Sequence, residues 1–179
     1  KAVLAQGEIM STTLMHYYLE ECGVNNTLLS ALEYMRIDKD CEPDYFYIRQ
    51  NLKRELAKPD TPPLIITQGF ICRNAYGEID NLKRGGSDYS AALVGAAIKA
   101  EEIQIWTDID GFHNNDPRIV EGTKAIRHLS FDEAAELAYF GAKILHPSSV
   151  QPAKKENIPV RLKNPLCPDD EGTLITEDS

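Results

Sequence analysis

Apolar positions along the chain follow two rhythms, and their alternation sets the first expectation. Residues 7–22 (GEIMSTTLMHYYLEEC) place Ile9, Leu14, Tyr17 and Tyr18 near helical spacing, with Gly23 as the stop. Residues 24–34 read as extended, with Leu28, Leu29 and Leu32 among polar and turn residues. Residues 44–57 (DYFYIRQNLKRELA) read as a short extended piece passing into an amphipathic helix, which Pro59, Pro62 and Pro63 end. Residues 64–72 (LIITQGFIC) form a continuous apolar run rich in branched side chains, the pattern of a strand buried on both faces. Asn74, Tyr76 and Gly77 then predict a turn, making 70–73 and 77–81 a hairpin.

The later residues repeat the alternation. A helix is expected from just after Gly86 to about residue 100, where Ala91, Ala92, Val94, Ala96, Ala97 and Ile98 offer a close-packing surface. Residues 103–107 (IQIWT) read as a strand and 108–118 as a loop. Residues 131–140 (FDEAAELAYF) read as a helix, opened by Ser130 with Glu133 three positions on, the pattern of a capping box. A second helix follows near 147–156, then a strand at 158–162 (IPVRL) and another at 173–175 (TLI). Strands alternating with helices predict an α/β protein with a mostly parallel sheet covered on both faces. Ligands of such sheets gather at the carboxyl ends of the strands.

Composition narrows the function classes. The 179 residues suit one domain with a sizeable core, and 42% hydrophobic with 26% charged residues is a globular balance. A net charge of −9 argues against nucleic acid or an anionic membrane surface as partner. Local cations and helix N-termini can still hold a small anion. No apolar run approaches bilayer length, and no signal peptide is visible. Cys22, Cys41, Cys72 and Cys167 lack zinc-type spacing and read as reduced thiols of a cytoplasmic protein. Lys1 stands where an initiator methionine would, so the chain reads as part of a longer one.

Four stretches carry candidate chemistry. In LKRGGSDYSAALVG (Leu82–Gly95), glycines let backbone amides approach an anion at a helix start, while Ser87 or Asp88 could equally be an N-cap. Neither a P-loop nor a dinucleotide fingerprint is present. In WTDIDGFHNNDPR (Trp106–Arg118), a strand ends at Thr107–Asp108 and a glycine turn leads to Asp116-Pro117-Arg118. That loop is either a solvated connection or a holder of sugar and phosphate, and it lacks the ligand spacing of a calcium loop. In GAKILHP (Gly141–Pro147), Lys143 is by default a solvated surface group, and His146 is a structural loop residue. Glu8, beside Gly7 at the expected helix start, is of a type the helix dipole favours there.

Taken in order, GE-x-x-S, ITQGF, RGGSD, WTD-x-DG…DPR, FGAK-x-LHP and IPV resemble the aspartokinases of the amino-acid kinase family, over Gly7 to Lys163. The resemblance implies a three-layer α/β/α sandwich with a mainly parallel central sheet. It implies transfer of the γ-phosphoryl group of ATP, with Mg²⁺, to the side-chain carboxylate of L-aspartate, giving 4-phospho-L-aspartate for lysine, threonine and methionine synthesis. By position, Glu8 would take the α-ammonium of aspartate, and Arg84 would clamp a substrate carboxylate with its planar fork. Phe70 and Ser87 would line the aspartate pocket, and Asp88 would orient the reacting groups. Thr107, Asp108, His113, Arg118 and Lys143 would hold ATP, Lys143 acting near the phosphates. Residues 1–179 would then be the later portion of a catalytic domain, with homo-oligomers possible. Three departures matter. No Lys-Phe-Gly-Gly-Thr-Ser-like segment with a phosphate lysine is present, no regulatory ACT domain follows Ser179, and His113 replaces a tyrosine. Such a piece alone is expected to turn over poorly. Alternatives are another kinase of this fold, acting on glutamate, carbamate, acetylglutamate or UMP, and a non-catalytic nucleotide-binding module.

Overall fold

The computed structural model describes residues 1–59, 61–83, 85–108, 111–114, 120, 122–140 and 145–178. It divides into two compact units, Lys1–Ser90 and Ala91–Ser179.

The first unit opens with α1 (Ala2–Glu21). It begins five residues before the expected start, so Glu8 stands in mid-helix, and the first-turn reading of that residue is corrected. Gly23, at φ +75°, ends the helix as expected. Of α1, only Ala5 is fully buried, while Val3, Leu4, Met10, Leu14, Tyr17 and Tyr18 remain exposed. The 24–34 segment is extended only as β1 (Thr27–Leu29) before a 3₁₀ turn at Ala31–Glu33. Helix α2 (Tyr45–Leu56) starts without the expected extended lead-in, because the Asp44 carboxylate accepts from Tyr47 N–H at 3.0 Å. Its buried Ile48, Leu52 and Glu55 recur at helical spacing.

The apolar run 64–72 is not one strand. It splits into β2 (Ile65–Thr67), parallel to β1, and β3 (Ile71–Arg73). β2 is half-buried rather than covered on both faces. Two local facts break the run. Gln68, itself buried, turns its amide to Ala31 N–H and Thr12 Oγ1, and Phe70 adopts φ +66°. β3 then pairs antiparallel with β4 (Ile79–Asn81), the hairpin expected from its turn residues. The Asn74 side chain closes that turn by accepting from Tyr76 and Glu78 N–H groups.

Helix α3 (Gly86–Ile98) contains the division between the units. The second unit is a four-stranded sheet in the order β5 (Ile103–Trp106), β7 (Val160–Lys163), β8 (Thr173–Thr176), β6 (His128–Ser130). The β5–β7 and β6–β8 pairs are parallel and β7–β8 is antiparallel. The α/β class and largely parallel pairing are as the sequence predicts. Alternation holds on β5 and β7, where Ile103, Ile105, Val160 and Leu162 enter the core while Gln104 and Trp106 face out. Gly95 lets α3 approach β5 closely, since a Cβ there would come within 2.5 Å of Ile103. Helix α4 (Phe131–Phe140) carries the predicted capping box: Ser130 N–H donates to Glu133 at 2.7 Å, and Glu133 N–H to Ser130 Oγ at 3.2 Å. The expected 147–156 helix is a 3₁₀ turn at Pro147–Val150 followed by α5 (Gln151–Lys155). His146 caps that turn by accepting from Ser148 N–H, the structural role expected of it.

Thr173, fully buried, ties β8 to two loop segments. Its hydroxyl accepts from Phe112 N–H at 2.9 Å and donates to the Ile126 carbonyl at 2.6 Å. Thr173→Val keeps the shape and strands both backbone groups. The expected loss is about 1–3 kcal/mol of stability, read as a lower denaturant midpoint with an unchanged slope.

Candidate functional site

The first unit brings three of the predicted acceptor residues onto adjoining turns. The chain leaves β2 at Gln68, and Gly69 and Phe70 redirect it into β3. Phe70 at φ +66° is in the left-handed region, which strains a non-glycine residue by about 1–3 kcal/mol. Its N–H is satisfied by Ser90 Oγ at 2.9 Å. Facing this turn is Gly85-Gly86, with Gly85 at φ +66°. A Cβ on Gly86 would overlap the Phe70 ring, and one on Gly69 would lie 3.1 Å from Ser87. Bare backbone at 69 and 86 therefore lets the two turns close on each other. Phe70 and Ser87 stand side by side, and Asp88 follows in the first turn of α3. Both Ser87 and Asp88 lie inside that turn, so the N-cap alternative is not what the helix start uses.

Glu8 sits on α1, half-buried. Its carbonyl accepts from Thr12 Oγ1 at 2.8 Å, and Thr12 in turn accepts from Gln68 Nε2 at 2.8 Å. The helix turn carrying Glu8 is thus tied to the loop carrying Phe70. Tyr89 joins α3 to the start of α2. Burial and a hydrogen bond with Tyr45 together hold its hydroxyl well above the usual tyrosine range.

The second unit carries the described nucleotide candidates at the carboxyl ends of its strands. Thr107 follows β5 and donates its N–H to the Lys163 carbonyl at 2.9 Å. Its hydroxyl lies 3.2 Å from Asp108, whose side chain is exposed. Trp106 and Lys163 are register partners, and the Lys163 ammonium lies 5.1 Å from the Trp106 ring centroid. Phe112, fully buried, anchors the segment that presents His113. His113 Nδ1 is 3.0 Å from Thr123 Oγ1. Arg84, Arg118 and Lys143 lie outside the described residues. Among the described residues no group of three His, Cys, Asp or Glu side chains is placed to hold a metal ion. No described helix is long and apolar enough to cross a membrane.

Sequence reasoning missed Gln68, Ser90 and Thr12. Gln68 is detectable as the one strongly polar residue in LIITQGFIC. Ser90 leaves no comparable trace, because serine in a helix usually just bonds the carbonyl one turn back.

The profile described as the amino acid kinase family matches residues 1–164. Aspartokinase 3, chloroplastic, of Arabidopsis thaliana is 40% identical over 95% of this chain and 32% of that protein. Lysine-sensitive aspartokinase 3 of Escherichia coli is 39% identical over 97% of this chain and 39% of that protein. The chain thus spans about a third to two-fifths of the length of these curated relatives. The crystal structure of E. coli aspartokinase III in complex with aspartate and ADP (R-state) is similar with a TM-score of 0.92 and 38% identity, over 99% of this chain and 40% of that one.

Asp88 carries a pH signature. Burial disfavours its anion and the N-terminal dipole of α3 favours it. Burial wins, and the carboxyl is held above its ordinary value of 3.8. A raised acid makes the folded state prefer the proton, so stability falls as pH rises from 3.8 through the raised value. Asp88→Asn removes that penalty. Its Tm is expected to exceed that of the parent protein at pH 7, with the gap closing as pH falls towards the ordinary aspartate range. Thermal melts across pH check this.

Proposed function

The chain belongs to the amino acid kinase family, and from that footing we propose that its protein is an aspartate kinase. It moves the γ-phosphoryl group of ATP onto the side-chain carboxylate of L-aspartate, giving 4-phospho-L-aspartate for lysine, threonine and methionine synthesis. The observation that carries this is the close likeness, over 99% of the chain, to an aspartokinase bound to aspartate and ADP. It is joined to the pairing of Phe70 with the Gly86-Ser87-Asp88 turn.

Aspartate is a small zwitterion with a second carboxylate, so its recognition needs one anion, one cation and a wall. Glu8 takes the ammonium, Arg84 the α-carboxylate, and Phe70 with Ser87 forms the wall. Asp88 orients the reacting carboxylate. Thr107, Asp108, His113 and Arg118 hold the nucleotide, and Lys143 lies by its phosphates. In the step itself a carboxylate oxygen bonds to the γ-phosphorus while the bond to the β-phosphate oxygen breaks, and ADP leaves. Such transfers depend on alignment and neutralisation of phosphate charge, with little covalent work for the protein.

Mg²⁺ comes with the nucleotide. It binds through phosphate oxygens and keeps much of its water, so it needs no cage of protein carboxylates, and it supplies charge neutralisation at the phosphates. Asp108 fits that mode, being exposed just beyond the end of β5, and among the described residues no group of three His, Cys, Asp or Glu side chains forms a cage. We place the enzyme in the cytoplasm, whose reducing conditions suit free thiols at Cys22, Cys41, Cys72 and Cys167.

The test is titration calorimetry of the whole protein with L-aspartate, L-glutamate, UMP and ATP, alongside ADP release with each acceptor. Binding of aspartate and ATP with preference for aspartate over glutamate supports the reading. ATP binding with no response to any acceptor refutes it in favour of a nucleotide-binding module. Glu8→Gln removes a charge-assisted contact and is expected to weaken aspartate binding about 10- to 100-fold, leaving ATP affinity in place.

A further inference from the structure

We infer that Gln68 and Ser90 are positioning residues: a buried two-armed brace that sets the geometry of the aspartate pocket without touching its ligand. This rests on the aspartate-pocket reading above and extends it to residues assigned no role there.

Both side chains act on the tripeptide Gln68-Gly69-Phe70, from opposite ends. Gln68, 3% exposed, accepts from Ala31 N–H at 2.8 Å and donates to Thr12 Oγ1 at 2.8 Å. Thr12 passes the link to the Glu8 carbonyl. Ser90, 4% exposed, accepts from Phe70 N–H at 2.9 Å and donates to the Gly86 carbonyl at 2.8 Å. The first arm fixes the α1 turn bearing Glu8. The second fixes the Phe70 kink against the turn bearing Ser87 and Asp88.

The bland alternative for Ser90 is the common serine-to-carbonyl bond one turn back in a helix. That accounts for Gly86 and leaves Phe70 unexplained. Phe70 N–H has left the strand ladder, and at this half-buried position an N–H without a partner is unfavourable. The Ser90 hydroxyl is therefore what makes the left-handed Phe70 tenable. Without it, relaxation of Phe70 towards extended backbone would lift its ring off Gly86. Gln68 also breaks an otherwise apolar strand run, and a buried polar side chain is costly unless bonded, as this one is through both its oxygen and its nitrogen.

Three variants of the whole protein test the brace: Ser90→Ala, Gln68→Met and the conservative Ser90→Thr, each titrated separately with L-aspartate and ATP. Ser90→Ala and Gln68→Met are each expected to weaken L-aspartate binding by about tenfold or more, leaving ATP binding unchanged, while Ser90→Thr restores the parent affinity. Unchanged aspartate affinity in Ser90→Ala and Gln68→Met overturns the brace while leaving the kinase reading intact. Parallel loss of both ligands, or failure of both variants to fold, marks a purely structural role and also overturns it. A parent protein that binds ATP but no aspartate overturns the functional reading, and the brace with it.

Discussion

A single backbone N–H decides how the first unit is arranged. At Phe70 the chain abandons the strand it has been forming and enters the left-handed region, where its carbonyl still accepts from Leu82 N–H but its own N–H has no ladder partner. The Ser90 hydroxyl meets the N–H instead, and several things follow from that bond. The aromatic ring lies over Gly86, Gly69 packs against Ser87, and the β2–β3 run becomes two short strands with a corner between them. The strain at Phe70 is comparable to what one hydrogen bond to a half-buried amide contributes, and the Ser90 hydroxyl supplies that bond.

The second unit solves a related problem with a different side chain. Loops at strand ends must be firm enough to present Thr107, Asp108 and His113, yet loop backbone has no ladder to join. Thr173 plays the part there that Ser90 plays in the first unit, its hydroxyl joining Phe112 to Ile126. The Lys163 carbonyl does the same for Thr107. In both units a hydroxyl or carbonyl borrowed from regular structure fixes the irregular segments. The unfavourable placement belongs to Asp88, whose half-buried carboxyl is held above its ordinary range. Such perturbed acids concentrate where chemistry is done.

Much of this was legible from residue order. The helices around Ile48 and Ala134, the hairpin closed by Asn74, the capping box at Ser130 and the strands at Ile103, Val160 and Thr173 follow from periodicity and turn chemistry. The motif order led to the family. The corner at 68–70 was not legible, because LIITQGFIC reads as one strand unless the conformation of Phe70 is known. β6 was hidden because His128, Leu129 and Ser130 run directly into α4 with no turn signal between them. The start of α1 was misjudged because Ala2, Val3 and Leu4 precede the polar residues taken as its beginning, which moves Glu8 from the helix end to its middle. The roles of Gln68 and Ser90 depend on partners 56 and 20 residues away, a distance no local pattern encodes.

The overlap between a side chain at 86 and the ring at 70 has an evolutionary consequence. The two positions cannot drift independently, since a methyl group at 86 demands a smaller residue at 70. Descendants would therefore change the two together, or keep both as they are.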